Sequence, residues 1–239
     1  MAMDVSSVKA LTFDVFGTVV DWRTSIIAEA RALGEAKGLS VDWEAFVDDW
    51  KTAYRPGMDR VSRGEIPWTN VDDIYRAKLE ELLAGYGIGG WTEAEKDHFN
   101  RVWHRLDGWP DAVPGLARLK TRYVLSTLSN GNFMCLVNMG KHAGLPWDCV
   151  LTAENFHHYK PDPEAYLGAV ELLGLEPGQV MMVAAHNYDL AHAASHGMRT
   201  AFFPRPTEYG PGQTTELNAE GDWDIVTDDL EGLAGALET

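Results

Sequence analysis

The 239-residue sequence is short of cysteine, of basic residues and of long apolar segments. Its two cysteines, Cys135 and Cys149, form no Cys-x-x-Cys pair, which favours buried free thiols over a disulfide or a metal site. Lysine and arginine number 20 against 36 aspartates and glutamates, so the net charge is −16. This acidic balance argues against nucleic acid or an anionic membrane as a partner. No apolar run approaches the roughly 20 residues that a transmembrane helix needs.

The start of the chain, MAMDVSSVKALTFDVFG, has no basic segment ahead of its apolar stretch. A secretory signal normally carries such a segment, so the sequence favours a cytoplasmic protein. The length of the chain suffices for one ordinary domain or for a core with a modest insertion. Its 45% hydrophobic and 23% charged residues are normal for a globular protein that can bury a core. A small anionic substrate is still compatible with the net charge, because a few local cations reverse the field inside a cleft.

Short apolar strands alternate with helices over most of the chain. Residues 8–16 form a predicted buried strand that ends before Gly17, and five later segments have the same character: RYVLSTLSN, CVLTAEN, QVMMVAAH, RTAFF and WDIVTD. Strands that alternate with helices predict a parallel sheet with helices on both faces. The predicted fold class is therefore α/β, a doubly wound, mainly parallel, Rossmann-like sheet with an inserted helical cap domain.

The cap is the all-helical part of the sequence. Predicted helices cover residues 21–38, 41–64 with a break near Pro56–Gly57, 71–83 and 92–106, the last opened by the capping-box signal TEAE. Because the sheet needs residues 8–16 as its first strand, these helices are an insertion directly after it. The predicted domains are a core of residues 1–18 plus 107–239 and a cap of residues 19–106.

Polar side chains cluster where the predicted strands end. The strand ends carry Asp14, Ser129 with Asn130, Lys160 in the HHYKP loop, and the AAHNYD segment. In open parallel sheets, ligands bind at the carboxyl ends of the strands. The cap leaves the sheet from this same edge, so it is placed to act as a lid over the site.

Several local alternatives are open for these residues. Asp14 is either a nucleophile that forms a covalent intermediate or a cap for the loop or the next helix. Lys160 either keeps that carboxylate ionised or is a surface lysine. Ser129 and Asn130 either offer donors to an anion or are ordinary turn residues.

Four motifs in order carry a family resemblance: DxxGT at Asp14, then LSNG, KPxxxxY at Lys160, and Asp189 after a later strand. Over nearly the whole chain, this pattern resembles the haloacid dehalogenase superfamily. Most of its members are phosphatases with Asp-x-Asp-x-Thr and further acids that hold Mg²⁺. Here Phe16 replaces the second aspartate and Ala184 and Ala185 occupy the fourth motif, so the resemblance narrows to type II 2-haloacid dehalogenases.

That resemblance implies a metal-independent hydrolase without a cofactor. Asp14 displaces halide from C2 of a small 2-halocarboxylate, and water then hydrolyses the aspartyl ester. A phosphatase with degenerate motifs and a non-catalytic, ligand-binding member are the alternatives. The implied partners are the halogenated acid and water, and a homodimer is compatible with tryptophans in the cap.

The resemblance also implies roles for individual residues. Thr18 and Lys160 orient and balance Asp14, with Tyr166 in the same network, while Asp189 holds Lys160 or lies near the hydrolytic water.

Substrate binding is assigned to a second group. Ser129 is expected to hold the substrate carboxylate and Asn130 the halide, with Val15, Phe16 and Tyr188 in the pocket. The cap is expected to supply Arg60, with Arg55 and Arg63 as alternatives.

One motif departs from the family pattern. Where type II dehalogenases usually read SSN, this chain has AAH, which puts His186 at the asparagine position. His186 is predicted to accept the proton of the hydrolytic water, with Asn187 in that role, or a merely hydrogen-bonded His186, as alternatives. A tight pocket here would favour haloacetates, even fluoroacetate, over longer acids.

Overall fold

The computed structural model describes residues 5–238; residues 1–4 and 239, the outer ends of the predicted core domain, lie outside the described part. In chain order the strands are β1 (Ala10–Phe13), β2 (Val20–Asp21), β3 (Asp107–Gly108), β4 (Val124–Ser129), β5 (Cys149–Thr152), β6 (Val180–Ala184), β7 (Arg199–Phe202) and β8 (Ile225–Val226). Six of them form one parallel sheet in the order β5-β4-β1-β6-β7-β8. The predicted α/β class is confirmed.

Helices lie in most of the intervals between the strands, and one helix follows β8. They are α1 (Trp22–Ala36), α2 (Trp43–Lys51), α3 (Tyr54–Ser62), α4 (Val71–Gly85), α5 (Glu93–Asn100), α6 (Ala112–Leu119), α7 (Phe133–Ala143), α8 (Ala153–Phe156), α9 (Pro163–Leu172), α10 (Asn187–Ser195) and α11 (Leu230–Ala236). Two 3₁₀ turns, Arg101–His104 and Pro177–Gln179, complete the regular structure of the described residues. The predicted helix at 92–106 is therefore α5 followed by a 3₁₀ turn.

The sheet is covered on both faces, as its sequence pattern requires. All five residues of β6 are buried. Met181 and Val183 belong to one hydrophobic cluster, whereas Val180, Met182 and Ala184 belong to another. Side chains alternate between the faces of a strand, so the two clusters lie on opposite faces of the sheet. This is the doubly wound arrangement.

The predicted break in the helix at residues 41–64 is displaced. The chain leaves the helix at Thr52 and Ala53, between α2 and α3, rather than at Pro56–Gly57. Pro56 is the third residue of α3. A backbone N–H has no intrahelical partner in the first turn, so proline is tolerated there and does not end the helix.

The chain segments that lead into and out of the insertion pair with each other. The inserted helices also contact the rest of the chain. β2 and β3 form an antiparallel ribbon, Val20 opposite Gly108 and Asp21 opposite Asp107. The largest hydrophobic cluster includes both sheet residues such as Phe13 and cap residues such as Trp50. We propose that residues 19–106 form a cap domain on a core of residues 1–18 and 107–239. Within residues 5–238, no helix has the length and apolar character to span a membrane.

Candidate active site

The segments after three strands of the sheet meet helices α2 and α3 around one cavity of about 330 Å³. Asp14 follows β1, His186 follows β6 and Glu208 lies beyond β7. The cavity is lined from the sheet side by Asp14, Phe16, His186, Tyr188, Glu208 and Tyr209, and from the inserted helices by Lys51, Tyr54 and Arg55. The inserted helices therefore close over the carboxyl edge of the sheet.

Asp14 receives hydrogen bonds on both carboxylate oxygens. The Thr18 hydroxyl donates to Oδ2 at 2.8 Å, and the Lys160 ammonium donates to Oδ1 at 3.1 Å. His186 Nδ1 lies 2.9 Å from Oδ2. The Thr18 hydroxyl accepts in turn from the Ala185 N–H at 3.0 Å, which joins the first and fourth motifs. The sequence-predicted group of Asp14, Thr18, Lys160 and His186 is thus brought together.

These partners set the ionisation of the carboxylate. Burial by itself raises the pKa of Asp14, but Lys160 and His186 outweigh it and hold the pKa well below its usual range. Burial lowers the pKa of Lys160, whereas Asp14 and Asp189 raise it above its ordinary value. At neutral pH the site therefore contains a carboxylate next to an ammonium, both buried.

Asp189 and Tyr166 support Lys160 from the side away from the cavity. Asp189 is fully buried and accepts hydrogen bonds from the Lys160 ammonium and, at 2.6 Å, from the Tyr166 hydroxyl. Both oxygens of the Asp189 carboxylate therefore accept hydrogen bonds. Of the two placements predicted for Asp189, the structure has the one that holds Lys160.

His186 lies between two carboxylates. Its Nδ1 faces Asp14, and its Nε2 lies 2.9 Å from Glu208 Oε2 and 3.4 Å from the Tyr209 hydroxyl. Burial lowers the pKa of His186, but Glu208 and Asp14 raise it well above its ordinary value. The two neighbouring carboxylates favour the protonated imidazole, in which both ring nitrogens are donors.

Three predicted substrate-binding residues do not line the cavity. Asn130 bonds the backbone of Lys160 twice: its Oδ1 accepts from the N–H at 2.7 Å and its Nδ2 donates to the carbonyl at 3.3 Å. The Ser129 hydroxyl accepts from the Gly131 N–H, and the Val15 carbonyl accepts from Val19 and Val20. We therefore revise Asn130 from a halide ligand to a residue that holds the Lys160 loop.

Asn187 is also placed differently from its prediction. Its amide donates to Glu216 and to the Asn218 carbonyl and accepts from the Glu220 N–H and the Trp223 indole. Both polar atoms of the side chain are occupied by the loop before β8. This leaves no capacity to activate water, and the prediction for Asn187 is corrected.

Arg55, and not the predicted Arg60, is the arginine of the inserted helices that lines the cavity at Asp14. Arg60 has 56% of its side chain exposed, pairs with Glu65 and lines a different cavity. Arg55 lines the cavity at Asp14, with its guanidinium 5.4 Å from the Tyr188 ring. Five residues along a helix amount to a rotation of about 140°, so the two arginines of α3 face different sides. Arg63, the third alternative, is exposed and pairs with Glu65.

Lys51 was not predicted, although it lies deep in the site. Its ammonium is 4.2 Å from the Tyr54 ring, 5.0 Å from Trp22, 5.8 Å from Trp103 and 5.9 Å from Phe16. Burial lowers its pKa from the ordinary value. A sequence signal exists: Lys51 follows Trp50 and lies four residues after Val47, both on the buried face of α2. A lysine next to the apolar face of a helix is thus the sequence pattern that could have predicted Lys51 in the site.

The sequence of the loop that carries Glu208 contains no pattern that would have predicted this residue in the site. It has no strand or helix periodicity, and Glu208 reaches His186 only because a buried bidentate pair fixes the loop. Arg205 binds both carboxylate oxygens of Asp111 at 2.9 Å and donates to the Thr18 carbonyl. This contact spans residues far apart in sequence and is visible only in the folded chain.

A second group of potential ligands lies between the inserted helices and α7. Asp72, His104 and Cys135 place their ligand atoms within 4.8 Å of one another. His104 Nε2 is already bonded to Asp72 at 2.8 Å, and its Nδ1 pairs with Asn138 at 3.1 Å. Both imidazole nitrogens therefore have protein partners. Cys135 is buried, Cys149 is half-buried, and both are free thiols.

Known proteins share this fold. The family whose sequence model matches residues 8–197 is described as haloacid dehalogenase-like hydrolase. The chain belongs to the haloacid dehalogenase-like hydrolases. The predicted family is thereby confirmed.

Relatives of this haloacid dehalogenase-like hydrolase include (S)-2-haloacid dehalogenase 4A of Burkholderia cepacia, 30% identical over 220 residues, which are 86% of this chain and 88% of that protein. The solved L-2-haloacid dehalogenase PA0810 is 47% identical with a TM-score of 0.94, covering 97% of this chain and 99% of that one. The solved defluorinating L-2-haloacid dehalogenase Rha0230 is 44% identical with a TM-score of 0.95, covering 97% and 96%. The narrower resemblance to L-2-haloacid dehalogenases is confirmed as well.

Proposed function

We propose that this protein hydrolyses the carbon–halide bond of small 2-haloalkanoic acids and yields 2-hydroxy acids through an ester on Asp14. The observation that carries the proposal is the Asp14 carboxylate itself. It is ionised, lies in a cavity that also holds cationic side chains, and stands beside Phe16 where a phosphatase would carry a second acid. The relatives named as (S)-2-haloacid dehalogenases support this reaction and the S configuration.

In the first half-reaction, one Asp14 oxygen attacks C2 of the substrate while the carbon–halogen bond breaks and its electron pair leaves with the halide. The Thr18 hydroxyl and the Lys160 ammonium hold the carboxylate in place, and Asp189 with Tyr166 holds the lysine. A halide leaves without a proton, so this step needs no acid at position 16. Phe16 lines the cavity with an apolar ring instead.

Substrate binding falls to the cationic groups opposite Asp14. Lys51 and Arg55 reach the cavity from α2 and α3 and supply positive charge for a carboxylate and a departing halide. Tyr188 forms part of the wall and stacks with Arg55. A cavity of about 330 Å³ has room for a small 2-haloalkanoic acid. The likeness to a defluorinating dehalogenase makes fluoroacetate a candidate alongside chloroacetate and 2-chloropropionate.

In the second half-reaction, water attacks the carboxyl carbon of the Asp14 ester. His186 is the base that we assign to this water, because its Nδ1 lies 2.9 Å from the Asp14 carboxylate. The C–O bond to the former substrate carbon remains intact, so the new hydroxyl group contains an oxygen from Asp14.

A divalent ion is not required by this scheme, and the side chains around Asp14 do not suit one. Mg²⁺ prefers several oxygen ligands, yet Phe16 and Ala185 offer no side-chain oxygen. The ammonium of Lys160 lies between Asp14 and Asp189, the two remaining carboxylates of the phosphatase pattern. No step of the mechanism is assigned to a metal.

Halide release tests the proposal against its two alternatives. We expect the protein to release halide from (S)-2-chloropropionate and chloroacetate in the presence of EDTA, and the Asp14→Asn variant to release none above background. Hydrolysis of p-nitrophenyl phosphate that depends on added Mg²⁺, without halide release, would identify a phosphatase. Inertness toward both substrate classes, with ligand binding unchanged in Asp14→Asn, would identify a non-catalytic binding protein.

A further inference from the structure

Glu208 is a second carboxylate in the active-site cavity, and the proposed chemistry described so far does not use it. The residue is 1% exposed. Its Oε2 lies 2.9 Å from His186 Nε2, and its Oε1 accepts from the Trp22 indole at 3.1 Å. The proposed substrate is anionic and Asp14 is a carboxylate, so a further buried negative charge is destabilising here unless a cation pairs with it, and the His186 imidazolium is that partner.

The position of Glu208 gives the imidazole a fixed orientation. Because Glu208 holds Nε2, the ring presents Nδ1 to Asp14 Oδ2, 2.9 Å away. The loop that carries Glu208 is itself fixed by the buried pair of Arg205 and Asp111. The geometry is that of a histidine with a carboxylate behind it and a reacting group in front of it, as in hydrolase triads.

Resting on the proposed aspartyl-ester route, we infer that Glu208 is a positioning residue that makes His186 the base for ester hydrolysis only after Asp14 has been alkylated. Before alkylation, the imidazole has a carboxylate at each nitrogen and carries both protons. After alkylation, the Asp14 charge is gone and only Glu208 remains as its partner.

The change in charge alters the proton affinity of the ring. Burial lowers the pKa of His186, and Glu208 and Asp14 together raise it well above the ordinary value. An ester at position 14 removes the Asp14 contribution and its hydrogen bond, so the pKa falls. The Nδ1 proton is then lost to solvent, while Nε2–H stays bonded to Glu208. The free Nδ1 faces the ester that water must attack.

Other groups near the imidazole leave this direction unchanged. Those that face His186 from the surrounding elements are Asp14, Glu208, Tyr188 and Tyr209, with Lys51 and Arg55 across the cavity and Lys160 beyond Asp14. The three cations favour loss of the Nδ1 proton once Asp14 is neutral, because like charges raise the free energy of the imidazolium.

The proton balance of this sequence is complete. Alkylation forms the ester and expels halide, and the imidazolium then releases one proton to solvent. Water adds to the Asp14 carboxyl carbon and gives its proton to Nδ1. Collapse of the tetrahedral intermediate breaks the bond from that carbon to the substrate oxygen, which takes the proton and leaves as the hydroxy acid. The Asp14 carboxyl group then returns its remaining proton to Nδ1.

The timing of proton release tests the inference on the unsubstituted protein. In a single turnover with (S)-2-chloropropionate, a pH indicator should report one proton per site together with halide and before 2-hydroxy acid. A base that is neutral at rest would release that proton together with the hydroxy acid, and this order would overturn the inference.

Glu208→Gln tests the positioning role independently. The glutamine oxygen accepts from Nε2–H without a charge, with loss of the hydrogen bond from the Trp22 indole. We expect halide release in the first turnover within about 3-fold of normal and ester hydrolysis slowed about 100-fold, the scale of lost general-base catalysis. Intact-mass analysis should then show the ester accumulating. Glu208→Asp should restore part of the hydrolysis rate and the original pH profile of that step.

The matched control is Glu220→Gln. Glu220 is an exposed carboxylate of the same loop whose backbone N–H, and not its side chain, bonds Asn187. Both half-reactions should be unchanged in this variant.

The outcomes separate this inference from the proposed function. Normal halide release in Glu208→Gln without ester accumulation, or an equal loss in both half-reactions, would remove the role of Glu208 and leave the dehalogenase proposal intact. No halide from the unsubstituted protein would remove both. Should Glu208→Gln fail to fold, the order of proton release still decides.

Discussion

At the scale of single residues, the reactivity of the site depends on buried charges that are stabilised by neighbouring groups. Asp14 is a buried carboxylate with Lys160 on one oxygen and Thr18 with His186 on the other. Each partner stabilises the ionised form of a group that burial alone would neutralise. Removal of a positive charge near Asp14 should therefore impair the reaction.

Lys51→Met should impair substrate binding. The change keeps the length and apolar contacts of the side chain among the aromatic rings and removes only the charge. Because hydrogen bonds to charged groups contribute about 1.5–3 kcal/mol, kcat/KM for chloroacetate should fall between about 10- and 150-fold. Arg60→Met, which neutralises a cation of the neighbouring helix outside the cavity, should stay within about 2-fold. Equal effects in the two variants would contradict the role of Lys51 in substrate binding.

The alkylation step should be insensitive to pH over a wide range. The pKa of Asp14 is held well below its usual range, so the carboxylate is lost only at pH values below that folded-state pKa. The pKa of Lys160 is raised, so its ammonium persists as the pH increases. First-turnover halide release should thus be constant from about pH 5 to about pH 7. At higher pH, the lowered pKa of Lys51 brings the loss of its positive charge into play. A decline with a midpoint near the ordinary aspartate pKa of about 3.9 or above would contradict this assignment.

Sequence patterns located Asp14, Thr18, Lys160 and His186 because strand ends and motif order determine where these residues lie. They did not locate Glu208 or distinguish Arg55 from Arg60. The position of Glu208 depends on the Arg205–Asp111 pair, which joins distant parts of the chain. The choice between the arginines depends on where α3 begins, and a displaced break rotates every side chain that follows.

At the scale of elements, the turn after β1 is shaped to admit Glu208. Gly17 has a φ of 84°, a conformation that favours glycine, and a Cβ at this position would overlap the Glu208 carboxylate. The turn therefore serves two purposes. It redirects the chain after Asp14, and it leaves space for the carboxylate behind His186.

Gly17→Ala should lower the free energy of unfolding by more than backbone strain alone accounts for. Gly64 also has a positive φ, 69°, but a Cβ added there would have no heavy atom within 4 Å, so Gly64→Ala reports the strain by itself, about 1–2 kcal/mol. Gly17→Ala should lower the free energy of unfolding further and slow ester hydrolysis, because Glu208 must move. Chemical denaturation and first-turnover kinetics measure the two effects. Similar losses in both variants would show that Glu208 does not occupy this space.

The fold class was predictable from alternating strands and helices, whereas element ends were not. The capping box at Thr92 begins α5 as predicted, because its two hydrogen bonds are local in sequence. The break between α2 and α3 was misplaced because proline breaks a helix in its interior but not in its first turn. Local signals are thus reliable where the contacts that fix an element are themselves local.

At the scale of the whole molecule, the proposed cap and core share one hydrophobic cluster. Aromatic side chains of the inserted helices, including Trp22, Trp50 and Trp103, belong to the same cluster as Phe13 of β1. Polar contacts add to it: Asn132 bonds both the backbone and the carboxylate of Asp72. Separation of the two parts would expose this shared surface.

We therefore expect a single unfolding transition. Six of the nine tryptophans lie within residues 19–106, so tryptophan fluorescence reports mainly on the inserted helices, whereas far-UV circular dichroism reports on the whole chain. The two denaturation curves should coincide, as they do for a cooperative transition. Two separated transitions would contradict a shared core and favour a cap that unfolds independently.

The aspartyl ester is tested most directly by isotope transfer. A single turnover of excess enzyme with (S)-2-chloropropionate in H₂¹⁸O, followed by mass analysis of the peptide that contains Asp14, locates the oxygen of water. The ester route predicts ¹⁸O in the Asp14 carboxylate and none in the new hydroxyl group of the product. Label in the product and an unlabelled Asp14 would mean that water attacks the substrate directly, and would contradict the ester route.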